Sequence, residues 1–180
     1  MEQMMVRIFC AALGLQLLLI GSASAQQPTP LKIRGDTTRA PRGCSAASAV
    51  SAIKAWFAAF TDADSAGLAK ASSTPNGRFV FSIAKFGTSD TFFRARTFED
   101  LLGYARQRAL QHDRMTLREV RFTGWRGKVL QWDPIYFTRS ASDLGDKDLS
   151  GAGKGGYWCG QGVWYLHLAP RQDIDRGPRR

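Results

Sequence analysis

The hydrophobic pattern is clearest between Ala47 and Ala71, where it predicts two helices in succession. Five large apolar side chains recur at steps of three and four and so share one helix face: Val50, Ile53, Trp56, Phe57 and Phe60. A helix of about four turns with so many aromatic rings on one face is not stable alone in water, so we expect it to cover a sheet. Ser45 or Ser48 caps its start, and Asp64 caps a short second helix that runs through Lys70.

Strand patterns and one more helix follow. Arg78 to Lys85 alternates apolar and polar residues, and a turn at 86–90 leads to a short partner strand at Thr91–Arg94. Thr97 caps a third helix, which ends near His112. Its predicted buried face consists of Phe98, Leu101, Leu102, Ala105 and Ala109.

Long strands dominate the C-terminal half. Met115–Trp125 and Val129–Arg139 form a hairpin, and Tyr157–Leu168 is the last strand. The polar, glycine-rich stretch from Ser140 to Gly156 is interpreted as a loop. Its segment 151–156 lacks the spacing of a phosphate-binding Walker motif, so we expect it to be flexible and not a nucleotide site.

Both ends of the chain look unlike the middle. Residues 1–25 have the basic start, apolar run and Ala-Ser-Ala end of a signal peptide, so we expect cleavage before Gln26 and a periplasmic or secreted protein. An uncleaved membrane anchor is the alternative; after cleavage we expect no stable membrane insertion. Residues 26–44 form a flexible leader, 45–169 the domain and 170–180 a basic, polar tail.

Export changes the interpretation of the cysteines. After cleavage only Cys44 and Cys159 remain, an even number in an oxidising compartment, and a disulfide between them is the simpler interpretation. Two buried free thiols are the alternative. Neither cysteine has metal-ligand spacing to another cysteine or a histidine, so we expect no metal site, and no cofactor motif is found.

The net charge of +10 favours anionic partners. The basic residues are scattered, however, and no nucleic-acid-binding motif is present, so we expect no nucleic acid partner. The charge is interpreted as solubility with weak attraction to anionic surfaces.

The order helix, short helix, strand pair, helix and three strands resembles the NTF2-like superfamily, which includes SnoaL-like cyclases, ketosteroid isomerases and scytalone dehydratases. The resemblance is carried by IKAWFAAFTDADSAGLAKA, TFEDLLGYARQRAL and GYWCGQGVWYLHL. It implies an α+β fold, in which a strongly curved mixed β-sheet packs against three helices into a cone that encloses a pocket.

In such a pocket, acid–base chemistry would need a carboxylate or a His–Asp pair. Asp133 is the best general base and His167 its partner, although Asp133-Pro134 is also typical of a β-bulge. Four aromatic residues are expected to contact a ligand, with ordinary core packing as the alternative: Trp56, Tyr104, Tyr136 and Tyr165.

Strand alternation predicts which face of the last strand points inward. Cys159, Val163, Tyr165 and His167 share one side, taken as the inner one, which leaves Trp158, Trp164 and Leu166 outside. Those outer residues would form an apolar patch suited to a homodimer. A bulge at Gly160 or Gly162 would reverse the assignment.

Three functions follow. The first is an exported domain that binds a small, partly apolar or amphipathic molecule or a partner chain in its pocket. The second is a SnoaL-like isomerase, dehydratase or cyclase that uses Asp133 and His167. The third is a structural envelope protein attracted to an anionic polymer. The sequence leaves open whether the chain is an enzyme.

Overall fold

The computed structural model describes residues 30–73, 79–84 and 91–170, with only the backbone given for Thr91 and Pro170. Residues 1–29, 74–78, 85–90 and 171–180 lie outside these ranges, and with them the predicted signal peptide, the predicted turn at 86–90 and nearly all of the predicted tail. The elements in chain order are β1 (Lys32–Asp36), α1 (Ala46–Thr61), α2 (Ser65–Ala71), β2 (Val80–Ala84), β3 (Thr91–Ala95), α3 (Phe98–Ala109), β4 (Arg114–Arg126), β5 (Val129–Ser140), β6 (Leu149–Trp158) and β7 (Gly162–Pro170).

Each helix begins at a side-chain cap that the sequence predicts. The Ser45 hydroxyl accepts from the backbone N–H of Ser48 at 3.1 Å, and the Asp64 carboxylate accepts from that of Gly67 at 3.0 Å. At α3, Thr97 and Asp100 exchange side-chain-to-backbone hydrogen bonds in a capping box. The N-termini of the helices are therefore specified by local chemistry.

The strands form one sheet in the order β1-β4-β5-β6-β7-β2-β3. β1 pairs with β4 and β2 with β7 in parallel, and the other neighbours are antiparallel. Register shifts in several strand pairs mark β-bulges, which bend a sheet. The prediction of an α+β fold with a mixed sheet and three helices is confirmed.

The helices cover one face of this sheet, called the inner face below. Trp56 of α1 is 0% exposed and packs against Phe60 and against Phe81 of β2, at ring-centroid distances of 5.3 and 5.4 Å. Phe81 lies beside Leu166, and both are buried in the same core cluster. The predicted buried face of α1 is confirmed, with Val50 at its partly buried edge.

The prediction of a flexible loop up to Gly156 is wrong, because Leu149–Trp158 is the central strand β6. A side chain on its inner face would collide with its neighbours: a Cβ at Gly151 would lie 2.3 Å from the Phe137 ring, and one at Gly155 would lie 2.5 Å from the Trp132 ring. Glycine is therefore used here so that large rings from β5 can lie flat across the strand.

The flexible leader predicted for 26–44 is also partly wrong, because Lys32–Asp36 forms β1 at the edge of the sheet. All five of its residues are exposed, so hydrogen bonds to β4 and not burial hold the strand in place. A Cβ at Gly35 would lie 2.0 Å from the carbonyl oxygen of Phe122, so this close approach requires glycine. A strand without an apolar face shows no alternation of apolar and polar residues, so the sequence pattern does not predict it.

The prediction of which side chains of the last strand point inward is wrong for the residues after Val163. Tyr157 pairs with Val163 and Gly156 with Tyr165, so Trp164 is an extra residue in β7. This bulge reverses the alternation, and Leu166 and Leu168 are buried in the core. Tyr165 and His167 therefore lie on the opposite, outer face of the sheet.

The predicted disulfide between Cys44 and Cys159 is present and joins the segment before α1 to the turn between β6 and β7. A disulfide is compatible with an exported protein. In the described ranges, no helix is long and apolar enough to cross a membrane.

Candidate functional site

The residues predicted from sequence to form one site are divided between the two faces of the sheet. Trp56 and Tyr104 are buried under the helices. Tyr136, Tyr165 and His167 alternate with buried residues of β5 and β7, so they lie on the outer face and are half-buried.

The interior carries an aromatic cluster around Tyr104 of α3. Its ring stacks on Phe93 of β3 with 4.2 Å between centroids and 9° between planes. Phe60 and Phe81 lie at centroid distances of 5.9 and 6.0 Å, and both also contact Trp56. Phe93 is the half-buried member of the group. Trp56 Nε1 is buried and has no hydrogen-bond acceptor in the described part of the chain, as is also true of Trp125 Nε1 and Trp132 Nε1.

A buried ionic network lies at one end of this cluster. Asp113, 2% exposed, accepts from Arg139 Nε at 2.9 Å and from Arg108 Nε at 2.6 Å. Arg139 also donates to the Tyr104 hydroxyl at 3.4 Å. Arg108 makes a bidentate contact with Asp143, at 2.6 and 2.8 Å. Two guanidinium groups are thus paired with two carboxylates, of which Asp113 is buried and Asp143 is exposed.

Hydrogen bonding within the network favours the charged forms of Arg108, Arg139 and Asp143. The bidentate bond to Asp143, together with Asp113, raises the pKa of Arg108 above its ordinary value despite burial. Burial opposes the charge of Arg139, but hydrogen bonds to Asp113 and Tyr104 outweigh it, and the pKa of Arg139 is raised. The same contact with Arg108 lowers the pKa of Asp143. These groups act as a structural clamp and not as proton donors or acceptors near neutral pH.

Sequence analysis did not find this network, although two signals were available. Arg108 continues the buried stripe of α3 formed by Leu101, Tyr104 and Ala105. Arg139 continues the inward alternation of Ile135 and Phe137 in β5. A charged residue at a core position of a periodic pattern predicts a buried ion pair.

The outer face brings His167 to Ser82. The Ser82 hydroxyl and His167 Nδ1 are 2.7 Å apart, and the Ser82 side chain is buried. Burial lowers the pKa of His167, and the positive charges of Lys154 and Arg94 lower it further. The imidazole is therefore neutral at pH 7.

Tyr165 lies across β6 on the same outer face. A Cβ at Gly156 would lie 2.6 Å from its ring, and the phenol oxygen is 3.2 Å from Gln131 Nε2 on β5. Burial raises the pKa of Tyr165. Trp164 packs edge-on against Tyr165 and Trp158, with centroids 5.4 and 5.6 Å apart, so three rings form an aromatic patch.

No group of three or more His, Cys, Asp or Glu side chains that could hold a metal ion occurs within the described residues.

In sequence comparisons, no protein-family model and no curated protein matches the chain. Solved structures do match. One is a protein of unknown function with a cystatin-like fold from Methylobium petroleophilum PM1, with a TM-score of 0.57 and 14% identity, covering 77% of this chain and 85% of that one. Another is an NTF2-like protein with a cystatin-like fold from Novosphingobium aromaticivorans, with a TM-score of 0.52 and 9% identity over 72% and 82% of the chains. The chain has the NTF2-like fold.

A candidate dehydratase of the NTF2-like family from Streptomyces avermitilis also matches, with a TM-score of 0.50 and 14% identity, covering 68% of this chain and 94% of that one. At such identities the likeness establishes the NTF2-like fold and not an activity, because one fold carries many functions. Any function must therefore be argued from the side chains themselves.

In this NTF2-like domain, Asp133 and His167 are not brought together in the interior. Asp133 is exposed, in a bulge of β5 between the buried residues Trp132 and Ile135. One strand, β6, separates β5 from β7, so the backbones of the two residues are roughly 10 Å apart on the outer face. The geometry favours the interpretation of Asp133-Pro134 as a bulge.

Proposed function

We propose that this chain is an exported NTF2-like binding domain that holds a small, partly apolar molecule between α1, α3 and the inner face of the sheet. The observation that carries the proposal is the Trp56 indole N–H, a buried donor without an acceptor among the described residues, inside an aromatic cluster. A buried donor is normally paired, and a ligand with an acceptor group would pair it.

The aromatic cluster supplies the apolar part of this binding surface. Phe60 and Phe81 each contact both Trp56 and Tyr104, and Tyr104 stacks on Phe93. A flat or cyclic apolar molecule suits such stacked and tilted rings. Phe93 is the partly exposed ring, so it marks the side from which a ligand enters.

Binding is favoured over catalysis because the ionisable groups next to the cluster are committed to one another. Asp113 accepts from two guanidinium groups, and Arg139 donates to Asp113 and Tyr104. Such paired groups do not exchange protons with a substrate readily. The isomerase, dehydratase or cyclase alternative would need Asp133 and His167, which lie on the other face.

The test uses the fluorescent probe 1-anilinonaphthalene-8-sulfonate, which combines an aromatic body with an acceptor group. We expect saturable binding by the folded wild type and at least tenfold weaker binding by Phe93→Ser. Phe92→Ser is the matched control, because Phe92 is the preceding residue of β3 and is 63% exposed. Near-ultraviolet circular dichroism must show that each variant is folded, since loosely packed states also bind this probe.

Trp56→Phe separates the donor from the ring. It retains an aromatic side chain but removes the N–H, so we expect several-fold weaker binding in a folded protein. Equal binding by wild type, Phe93→Ser and Trp56→Phe would contradict the proposal. Mass spectrometry of a molecule that copurifies from the native host would identify the ligand.

A further inference from the structure

A row of polar side chains crosses the outer face of the sheet, with one position on each strand. The strand register pairs Arg34 with Arg121 at one end, and it pairs Lys154 with His167, His167 with Ser82 and Ser82 with Arg94 at the other. Asp133 lies between the two ends, in the β5 bulge, and has no paired residue of its own. The residues before and after these positions in β2, β6 and β7 contribute to the opposite, inner face. The row is thus a product of register and not of any continuous motif.

The two halves of the row differ in how their charges are compensated. At the β1 side, Glu119 accepts a hydrogen bond from Arg121 at 3.3 Å and forms an ion pair with Arg34, also at 3.3 Å. At the β3 side, Arg94 and Lys154 flank the Ser82–His167 pair. Among the described residues, no carboxylate lies within 4.0 Å of either cation, and Asp133 is the carboxylate that follows Lys154 in the row. Positive charge therefore collects over β2 and β7.

The Ser82–His167 hydrogen bond fixes the imidazole between these cations. When the Ser82 hydroxyl donates to Nδ1, the proton of the neutral ring lies on Nε2, which is then a free donor. Lys154 on β6 lies beside His167, and Arg94 on β3 lies beside Ser82, so two cations stand on either side of the hydrogen-bonded pair. Their positive charges also lower the pKa of His167.

We infer that Arg94, His167 and Lys154, with Ser82 positioning the imidazole, form a binding site for one oxyanion group on the outer face. A guanidinium group binds a phosphate, sulfate or carboxylate through paired hydrogen bonds, and an ammonium group adds a second positive charge. The anion relieves the repulsion between the two cations. The shared chemistry is the oxyanion, either free in solution or carried by an anionic polymer. The inference is independent of the ligand proposed for the inner face.

The test follows the imidazole signals by NMR while inorganic phosphate is added to the intact mature domain. The chain has two histidines, so His112, which is exposed in the turn after α3, is an internal control. We expect phosphate to shift the signals of His167 saturably and to raise its pKa, while His112 is unaffected, because a bound anion stabilises the imidazolium. Affinity should therefore increase as the pH falls.

The double variant Arg94→Gln, Lys154→Gln should reduce phosphate affinity at least tenfold. Arg114→Gln, Lys128→Gln removes the same charge from exposed positions elsewhere and should leave affinity within twofold of wild type. Equal losses in the two double variants, or no saturable shift of His167, would overturn the inference, because only general electrostatics would remain.

A second arm distinguishes the sources of the oxyanion. Binding of dextran sulfate is compared with binding of uncharged dextran of the same length. Both are measured for the wild type and for the two double variants. Tighter binding of dextran sulfate than of phosphate, weakened by Arg94→Gln, Lys154→Gln, supports a polymer-borne anion. Binding of phosphate with no preference for the polymer supports a free anion.

Discussion

The Arg139 guanidinium donates to both carboxylate oxygens of Asp113, and both side chains are buried, at 6% and 2% exposure. Asp113 immediately precedes β4, and Arg139 lies near the end of β5, so the pair joins the open ends of the longest hairpin to Arg108 of α3. One carboxylate thus connects two strands with a helix.

We therefore expect Asp113→Asn to lower the free energy of unfolding by about 3 to 5 kcal/mol, because it leaves the buried guanidinium group of Arg139 without its counter-ion. Urea denaturation followed by circular dichroism measures the change. The control is Asp148→Asn, an exposed aspartate in the connection to β6, which should change stability by less than about 0.5 kcal/mol. A loss below about 1 kcal/mol at Asp113 would mean that the network adds little stability.

The Arg108–Asp143 contact predicts a dependence of stability on pH. The pKa of Asp143 is below its ordinary value of 3.8 in the folded state, chiefly through its hydrogen bonds with Arg108. A lowered pKa contributes stability that is present above the unfolded value and is lost as the pH falls through the folded value. Asp143→Asn should therefore flatten the loss of stability below about pH 4, measured as thermal midpoints in a pH series. If the thermal midpoint of Asp143→Asn falls at low pH as steeply as that of the wild type, this carboxylate does not contribute.

The glycines of β6 predict a contrast between two Gly→Ala substitutions. At Gly155, a Cβ would meet the Trp132 ring and the carbonyl oxygen of Tyr165, both at 2.5 Å, so Gly155→Ala should cost about 1 to 3 kcal/mol. Gly103 lies in α3 with open space around it, so Gly103→Ala should stabilise by about 0.5 to 1 kcal/mol. Chemical denaturation of both variants tests the placement of β6, and a neutral Gly155→Ala would argue against it.

The disulfide predicts a measurable contribution from cross-linking. Cys44 and Cys159 are 115 residues apart, and closing a loop of this length is worth about 4 to 5 kcal/mol in the chain-entropy description, often less in practice. Replacing both cysteines by serine should lower stability accordingly while the fold is kept. Intact mass of the wild type should be lower by two hydrogens than that of its reduced form, and alkylation of both Cys44 and Cys159 without prior reduction would contradict the bond.

The local elements of this protein were predictable from the sequence. The stripe that includes Ile53, Trp56 and Phe60 identifies α1, and Ser45, Asp64 and Thr97 mark helix starts, because helical hydrogen bonds and caps join residues three or four positions apart. The disulfide was predictable because only Cys44 and Cys159 follow the predicted signal peptide, so only one pairing was possible. The NTF2-like fold was also predictable, because the resemblance depends only on the order in which such local patterns follow one another along the chain.

Only the tertiary structure decided which residues meet across the sheet. The extra residue Trp164 reverses the faces of β7, so Leu166 is in the core and His167 is beside Ser82, outside it. The strand β6 has few side chains of its own, and rings of β5 and β7 cover its glycines. Side-chain alternation has a period of two, so a single bulge overturns a correct local pattern, and the partners of Arg108 and Arg139 become known only when separate elements pack together.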